Sequence, residues 1–512
     1  MTASFSPISA PYTIETIPAE LLQQIAFFVA ASELKGPPSD LVHLCCTSST
    51  IYASLRFADN PSLYASIFRY KFDFTAPMRR LGPERITASA LAIELRNRFE
   101  SMKRIRAGMG SRPRSEGNRE HDLWMAIFLM LENDGKNAVQ LKHFAFVEQW
   151  LLDFFLDHSG GSYASDDIYA KHWPRDNQDN RLAMWLLWLC DRTSLNYSST
   201  IRRMYCDILR AYAVAANKYP LTAHPWTDYT HPYTVPTTTQ MVYTHYGLSS
   251  VVVSPAISIP AILGYMSRMH VDTGVVTFDT EASTATAISH RWDCDWERCI
   301  VSKADGSKPN LERVYRPGTL EGAWEGLFTY TEFTVYAAIL SGAPPQTLYD
   351  GAIGQNIQIW KLREYNLYSE SLYSQKASQN SLPIGDAFDA FFPQIIIDEK
   401  DDHAIFAYGS EQSKYFRYLH EPTKDNQKLC DVVVLGEGHS SWGDFELRGR
   451  VRASDGLVTV LKQYVSHETE SRAKWIYRGY LVGGKLVGRW RDALTPLRLD
   501  GYEGAFELNR RM

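Results

Sequence analysis

The sequence predicts a multidomain α + β chain: a three-helix N-terminal module, an α-helical middle region and a C-terminal antiparallel β-barrel. Three observations lead there. At 512 residues, 45% hydrophobic and 13% aromatic, the chain is folded protein too long for one core, which suggests about two to four domains. Apolar residues recur at helical spacing as far as Tyr219. Beyond Gly322 the spacing changes to period two, punctuated by Gly and Asp turns.

The first element is "IETIPAELLQQIAFFV" (Ile14 to Val29). No Lys or Arg precedes it, so it lacks the basic n-region of a secretory signal. Pro18 suits the first helical turn and Glu20 complements the positive end of the helix dipole. Leu21, Leu22, Ile25, Phe28 and Val29 then share an apolar face. After "KGPPSD", Ser39 or Asp40 can cap a second helix carrying Leu41, Leu44 and Cys45, and a further helical piece carries Ile51, Tyr52 and Leu55. Asn60 at a cap and Pro61 behind it start another, with Leu63, Tyr64, Ile67 and Phe68. So small a bundle cannot bury all these faces against itself, and some of the surface should meet a partner.

In order along the chain, Ile17-Pro18, Glu20-Leu21-Leu22, Ile25, Asp40-Leu41, Leu44, Cys45-Cys46 and Leu63-Tyr64 resemble the landmarks of an F-box. The resemblance covers residues 14–72, with Ile17 in place of the usual Leu and Tyr64 in place of the usual Trp. The whole chain also resembles the large F-box proteins of fungi. The resemblance implies an adaptor rather than an enzyme: the substrate-recognition subunit of an SCF-type cullin–RING ubiquitin ligase. Pro18, Leu21, Leu22, Ile25, Leu41, Leu44, Leu63 and Tyr64 would enter the groove of a Skp-type adaptor, and through it a cullin. The remainder of the chain would select a protein client.

Residues 73–120 read as a linker with a helical piece. Its end, "SMKRIRAGMGSRPRSEGNRE", clusters Lys103, Arg104, Arg106, Arg112, Arg114 and Arg119. No aromatic residues are interleaved as single-strand nucleic-acid binding would favour, so it reads as solvated chain. Residues 121–219 read as a helical domain built from "LWMAIFLML", "LKHFAFVEQWLLDFFLDH", the all-apolar "RLAMWLLWLC" and "IRRMYCDILRAYAVAANKY". Trp124, Trp185 and Trp188 read as core.

Residues 220–310 open on a Pro-, Thr- and Tyr-rich crossing segment with some strands. "HRWDCDWERC" places His290, Cys294 and Cys299 close together, but with neither a C-x₂-C pair nor a fourth ligand it reads as thiols packed beside Trp292 and Trp296. No metal and no cofactor is expected.

Residues 311–512 are the expected barrel, with a long insertion at 342–431. "AWEGLFTYTEFTVYAAIL" reads as one alternating strand. "DFELRGRV" and "LVTVLKQY" flank an "ASDG" turn, "KWIYRGYLV" and "KLVGRWRD" flank "GG", and "GYEGAFELNRR" closes the chain. The shared Glu-Gly-Ala-aromatic of "LEGAWEGLF" and "YEGAFELNR" suggests neighbouring strands that close the barrel. Gly322-x-Trp324 resembles the Gly-x-Trp of calycin (lipocalin-like) barrels, which pair that Trp with a late Arg; Arg489 or Arg491 would fill the place.

"GEGHSSWG" fails as a nucleophile elbow because Trp442 stands where Gly is required, and as a dinucleotide fingerprint because Ser441 does. The net charge of −5 and seven scattered cysteines fit a reduced protein of the cytoplasm or nucleus, with no call for nucleic acid or membrane. A second reading stays open: a barrel holding a small apolar ligand, the N-terminal helices being only structural. Trp324, Phe328, Trp475, Arg489 and Trp490 are the candidate client or ligand site in either case.

Overall fold

The computed structural model describes residues 13–108, 116–156, 161–190, 199–221, 240–273, 288–302, 311–369, 395–418, 428–465, 474–496 and 499–511. They divide into two units. One comprises residues up to Ala107 together with Glu132–Val147 and Thr244–Leu248; the other holds the rest.

The first unit is helical. Its helices are α1 (Ala19–Ala30), α2 (Ser39–Cys45), α3 (Ser49–Leu55), α4 (Pro61–Lys71), α5 (Thr75–Leu81) and α6 (Ala88–Ala107). The expected three-helix module therefore holds four separate helices. α2 and α3 are divided at Ser48, which is extended and accepts the Thr50 N–H on its hydroxyl at 3.1 Å. Pro18 precedes α1 as its cap residue rather than entering the first turn. Asn60 does precede Pro61 at the start of α4. Its side chain ties helices instead of capping, donating to the Ser54 and Arg56 carbonyls and accepting from Gln23 at 2.7 Å.

Residues 14–72 do not close on themselves. Gln140 donates to the carbonyls of Leu34 and Lys71 and accepts the Gly36 N–H at 2.8 Å. The Asp73 carboxylate accepts the N–H groups of Asp134 and Asn137. The expected linker is also largely helix. α6 carries Phe99, Met102 and Ile105 buried at helical spacing through to Ala107. Arg106 is exposed, as expected of the basic strip, and its guanidinium lies over the Phe144 and Phe146 rings, each at 5.3 Å. Arg112 and Arg114 lie outside the described residues.

In the second unit, the helices Glu116–Leu131 and Ser258–Thr273 pack against the apolar helix Gln178–Cys190, and Ser199–Val214 packs against Ser258–Thr273. Trp124 and Trp185 are core as expected, and Trp188 meets Trp185 edge to face at 6.1 Å. The expected single helix over "LKHFAFVEQWLLDFFLDH", whose residues up to Val147 belong to the first unit, is interrupted, because Phe146 takes a φ of 53°. Packing decides there: Ala145 and Val147 on either side are fully buried. Most of the Pro- and Thr-rich stretch, residues 222–239, lies outside the described residues. Around it are strands β1 (Gln240–His245), β2 (Leu248–Val253) and β3 (Ile300–Ser302), which form a small sheet.

The remaining strands are β4 (Gly322–Thr331), β5 (Ile353–Ser369), β6 (Ile395–Glu399), β7 (His403–Tyr408), β8 (Glu411–Arg417), β9 (Lys428–Ser440), β10 (Gly443–Val451), β11 (Val458–Tyr464), β12 (Lys474–Val482), β13 (Lys485–Asp492) and β14 (Glu503–Arg510). Eight of them close an antiparallel barrel in the ring order β4-β14-β13-β12-β11-β10-β9-β5, with β5 returning to β4. Phe506 faces Phe328 across the β14–β4 seam, so the strands with the shared Glu-Gly-Ala pattern are indeed neighbours. Val482 pairs with Lys485 across Gly483 and Gly484, whose φ of 56° and 88° make the two-residue turn that residues with a Cβ adopt with difficulty.

Two expectations are corrected. The stretch after Thr331 is a helix, Phe333–Leu340, because the buried residues become Val335, Tyr336 and Ile339 at helical spacing. The insertion expected at 342–431 holds a full wall strand: β5 pairs with β4 from Gly322↔Leu362 to Thr331↔Ile353, and with β9. The true excursion is β6–β8. It folds over the outside of β5 and β9, where Ile395, Phe406 and Tyr415 cluster with Tyr365, Val433 and Leu435. Residues 370–394 and 419–427 within it lie outside the described residues.

Candidate functional site

The residues expected to meet an adaptor fall into two groups. Leu22, Leu41 and Leu63 are buried inside the first unit and hold α1, α2 and α4 together. Tyr64 is half-buried and also structural: its hydroxyl donates to the Leu55 carbonyl at 3.0 Å and its ring packs on Phe57. Leu44 is half-buried. Pro18, Leu21 and Ile25 face outward. With them stands Phe28, 71% exposed, so Leu21, Ile25 and Phe28 form an i, i+4, i+7 stripe on the outer side of α1. Val42 of α2 and Tyr52 of α3 are exposed as well. Scattered exposed apolar residues are ordinary; here three of them align on one side of a helix whose opposite side, Leu22, Ala26 and Ala30, is buried.

At the other end of the chain, the barrel interior is filled. Trp324, Trp360, Phe328, Phe506 and Leu508 belong to one buried cluster. Trp324 donates its indole N–H to the Leu320 carbonyl at 3.0 Å. Trp490 donates its own to the Thr329 carbonyl at 3.0 Å and meets Phe328, Trp475 and Tyr502 edge to face. Four of the five candidate barrel residues therefore converge, with Trp475 half-buried and Trp442 standing against Phe328 at 5.2 Å.

Arg489 does not join them. Its neighbour Trp490 faces the lumen, so the alternation of β13 turns Arg489 to the other side, where its guanidinium reaches the carbonyls of Tyr212 and Val214 at the end of the helix Ser199–Val214 and of Tyr219 beyond it. Arg491 likewise donates to the carbonyls of Thr495, Pro496 and Leu499. The late arginine opposite Trp324 is instead Arg510, which faces it in register across the seam and donates to the Gly318 carbonyl at 3.3 Å. Strand order explains this: β4 is flanked by β5 and by β14, the last wall strand, and not by β13, which carries Arg489 and Arg491.

Lys462 went unnoticed in the sequence. It lies inside the barrel, 1% exposed, with its ammonium nitrogen 3.8 Å from the Phe445 ring centre and within 6 Å of Tyr464, Phe328 and Tyr477. It donates to the side-chain oxygen Oε1 of Gln358 at 3.1 Å, which also accepts from Tyr477. Desolvation pushes its pKa down to about 7. The signal was present: in "LVTVLKQY" the alternation puts Val458, Val460, Lys462 and Tyr464 on one face.

A second buried polar cluster lies in the first unit. Arg98 of α6 bonds Glu94 at 3.1 Å, Glu132 at 2.8 Å and the Tyr246 hydroxyl at 2.8 Å. His245 lies 2.6 Å from Glu132 and 3.3 Å from Glu94. Burial alone would lower the His245 pKa, but the two carboxylates outweigh it and raise it to about 9. Burial alone would raise that of Glu94, yet His245 and Arg98 hold it at about 2. The two cations and two anions neutralise each other, and the group reads as a structural lock.

At "HRWDCDWERC", Trp292, Trp296 and Cys299 are buried, and no group of His, Cys, Asp or Glu among the described residues could hold a metal ion. Among the same residues no helix is long and apolar enough to cross a membrane. No family model, curated protein or solved structure matches the chain.

Proposed function

We propose that this chain is a non-catalytic substrate receptor of an SCF-type ubiquitin ligase, acting in the cytoplasm or nucleus. It docks on a Skp-type adaptor, and through it a cullin, by the outer side of α1, and offers its second unit to a protein client. The observation that carries this reading is the exposed stripe Leu21, Ile25 and Phe28, beginning at Pro18 in the stretch that resembles an F-box. A groove-filling helix needs anchors at this spacing. The alternative, a barrel holding a small ligand in its lumen, is the poorer reading because Trp324, Trp360, Phe506 and Leu508 already occupy that space.

Co-expression of the full chain with a Skp-type adaptor tests the proposal. The wild type should retain the adaptor through purification. The double variant Leu21→Asp, Phe28→Asp should lose at least about tenfold in affinity, since each Asp would be buried unpaired in the complex. Failure of the wild type to bind, or full binding by the folded double variant, overturns the reading.

A further inference from the structure

The second unit contains a cavity of about 110 Å³ that lies outside the barrel lumen. Its wall is mostly apolar, with Leu131, Trp185, Leu189, Val253, Ile259 and Val482 among the lining residues. Protein interiors are packed to crystal-like density, so an apolar void of this size has to be accounted for. A buried water requires two to four polar partners, and the charged groups of this wall are engaged with other protein groups.

The polar groups in the wall narrow the choice. Its charges balance, Arg181 and Arg298 against Asp295 and Asp455, and all four are already engaged. Arg181 makes a paired contact with Asp176. Arg298 bonds Asp295 and the Leu481 carbonyl. Asp455 accepts from Arg452 at 2.6 Å and from the Tyr480 hydroxyl at 2.7 Å. A charged guest would find no counter-charge to spare. One side chain is different: Ser254, 1% exposed and in the cavity wall, has a buried hydroxyl with no hydrogen-bond partner among the described residues. A native fold seldom leaves such a group unmatched unless something else completes it.

We infer that this cavity is a binding site for a small neutral molecule, largely apolar and carrying a single hydrogen-bonding group that meets the Ser254 hydroxyl. The volume suits a single ring, since an engineered apolar cavity of about 150 Å³ takes up benzene. The aromatic faces of Trp185 and Tyr480 in the wall favour a ring over a chain.

Fluorine NMR of 4-fluorophenol with the full-length protein tests the site, with fluorobenzene as its partner lacking the hydroxyl. Saturable broadening of the 4-fluorophenol line is expected, with fluorobenzene binding more weakly. Ser254→Ala should weaken 4-fluorophenol by roughly three- to tenfold and leave fluorobenzene unchanged. Ala256→Phe, which fills the cavity from its wall, should abolish both; Leu189→Phe serves the same purpose should the first variant misfold. Absence of saturable binding, or binding that survives a folded cavity-filling variant, overturns the inference. The adaptor reading is separable, because the Leu21→Asp, Phe28→Asp variant should bind the probe normally.

Discussion

His245 Nε2 lies 2.6 Å from Glu132 Oε1, joining two stretches of chain 113 residues apart. With Arg98 and Glu94 it forms a neutral buried quartet, and its strength depends on protonation. The His245 pKa is raised from 6.5 to about 9, so its contribution is fully present below pH 6.5 and lost as pH rises through about 9. The Glu94 pKa is lowered from 4.5 to about 2, so its contribution is present above pH 4.5 and lost as pH falls through about 2. The first unit should be most stable between these limits. His245→Gln should cost about 3–5 kcal/mol near neutral pH and flatten the alkaline slope. Hydrogen exchange of the α6 amides, followed from about pH 6 to about pH 9, reads both effects.

Lys462 carries the opposite sign. An unfolded chain takes up its proton below pH 10.5, whereas the folded barrel keeps the amine neutral down to about 7. Barrel stability should therefore decline as pH falls from 10.5 towards 7. Lys462→Met should remove that slope and stabilise the barrel by roughly 2 kcal/mol at neutral pH, by relieving a buried polar group of its desolvation cost. Urea midpoints followed by tryptophan fluorescence at two pH values would show it; an unchanged slope in the variant would mean Lys462 is not buried in the lumen.

The N-terminal leucines should separate packing from docking. Leu63 is 5% exposed and Leu21 is 49% exposed. Leu63→Asp should destabilise the first unit on the order of 4 kcal/mol, whereas Leu21→Asp should stay within about 0.5 kcal/mol of wild type. Limited proteolysis of the two variants distinguishes them: rapid cleavage of the first only is expected.

Much of this was legible because local chemistry and final structure agree. The Gly483-Gly484 turn, the alternation of β10 and β11 and the apolar helix Gln178–Cys190 each state their structure within a dozen residues. What escaped was set by distant partners. Residues 14–72 read as a module with surface left for a partner, yet Gln140 of the same chain bonds Gly36, Leu34 and Lys71, and no local pattern links those positions. Arg489 and Arg510 both follow Trp324 as late arginines; only the closing of β14 onto β4 decides between them. The split of the N-terminal face into buried Leu22 and exposed Leu21 is likewise invisible to spacing alone, since both lie on the same apolar arc of α1.

Barrel closure rests on a close approach that one substitution can probe. Gly326 on β4 sits where an added Cβ would come within 2.0 Å of the Glu507 carbonyl oxygen and 2.8 Å of the Leu508 Cα, both backbone atoms of β14. Gly326→Ala must therefore push the two strands apart along the seam where Arg510 faces Trp324. A loss of roughly 2–3 kcal/mol in the urea transition is expected, because the strain falls on backbone that cannot rotate away. Gly484→Asn is the control. It meets nothing within 4 Å, and Asn tolerates the positive φ of the hairpin turn, so its change should stay within about 0.5 kcal/mol. Equal stability of Gly326→Ala and wild type would mean that β4 and β14 are not in contact at this point, and the barrel would be open there.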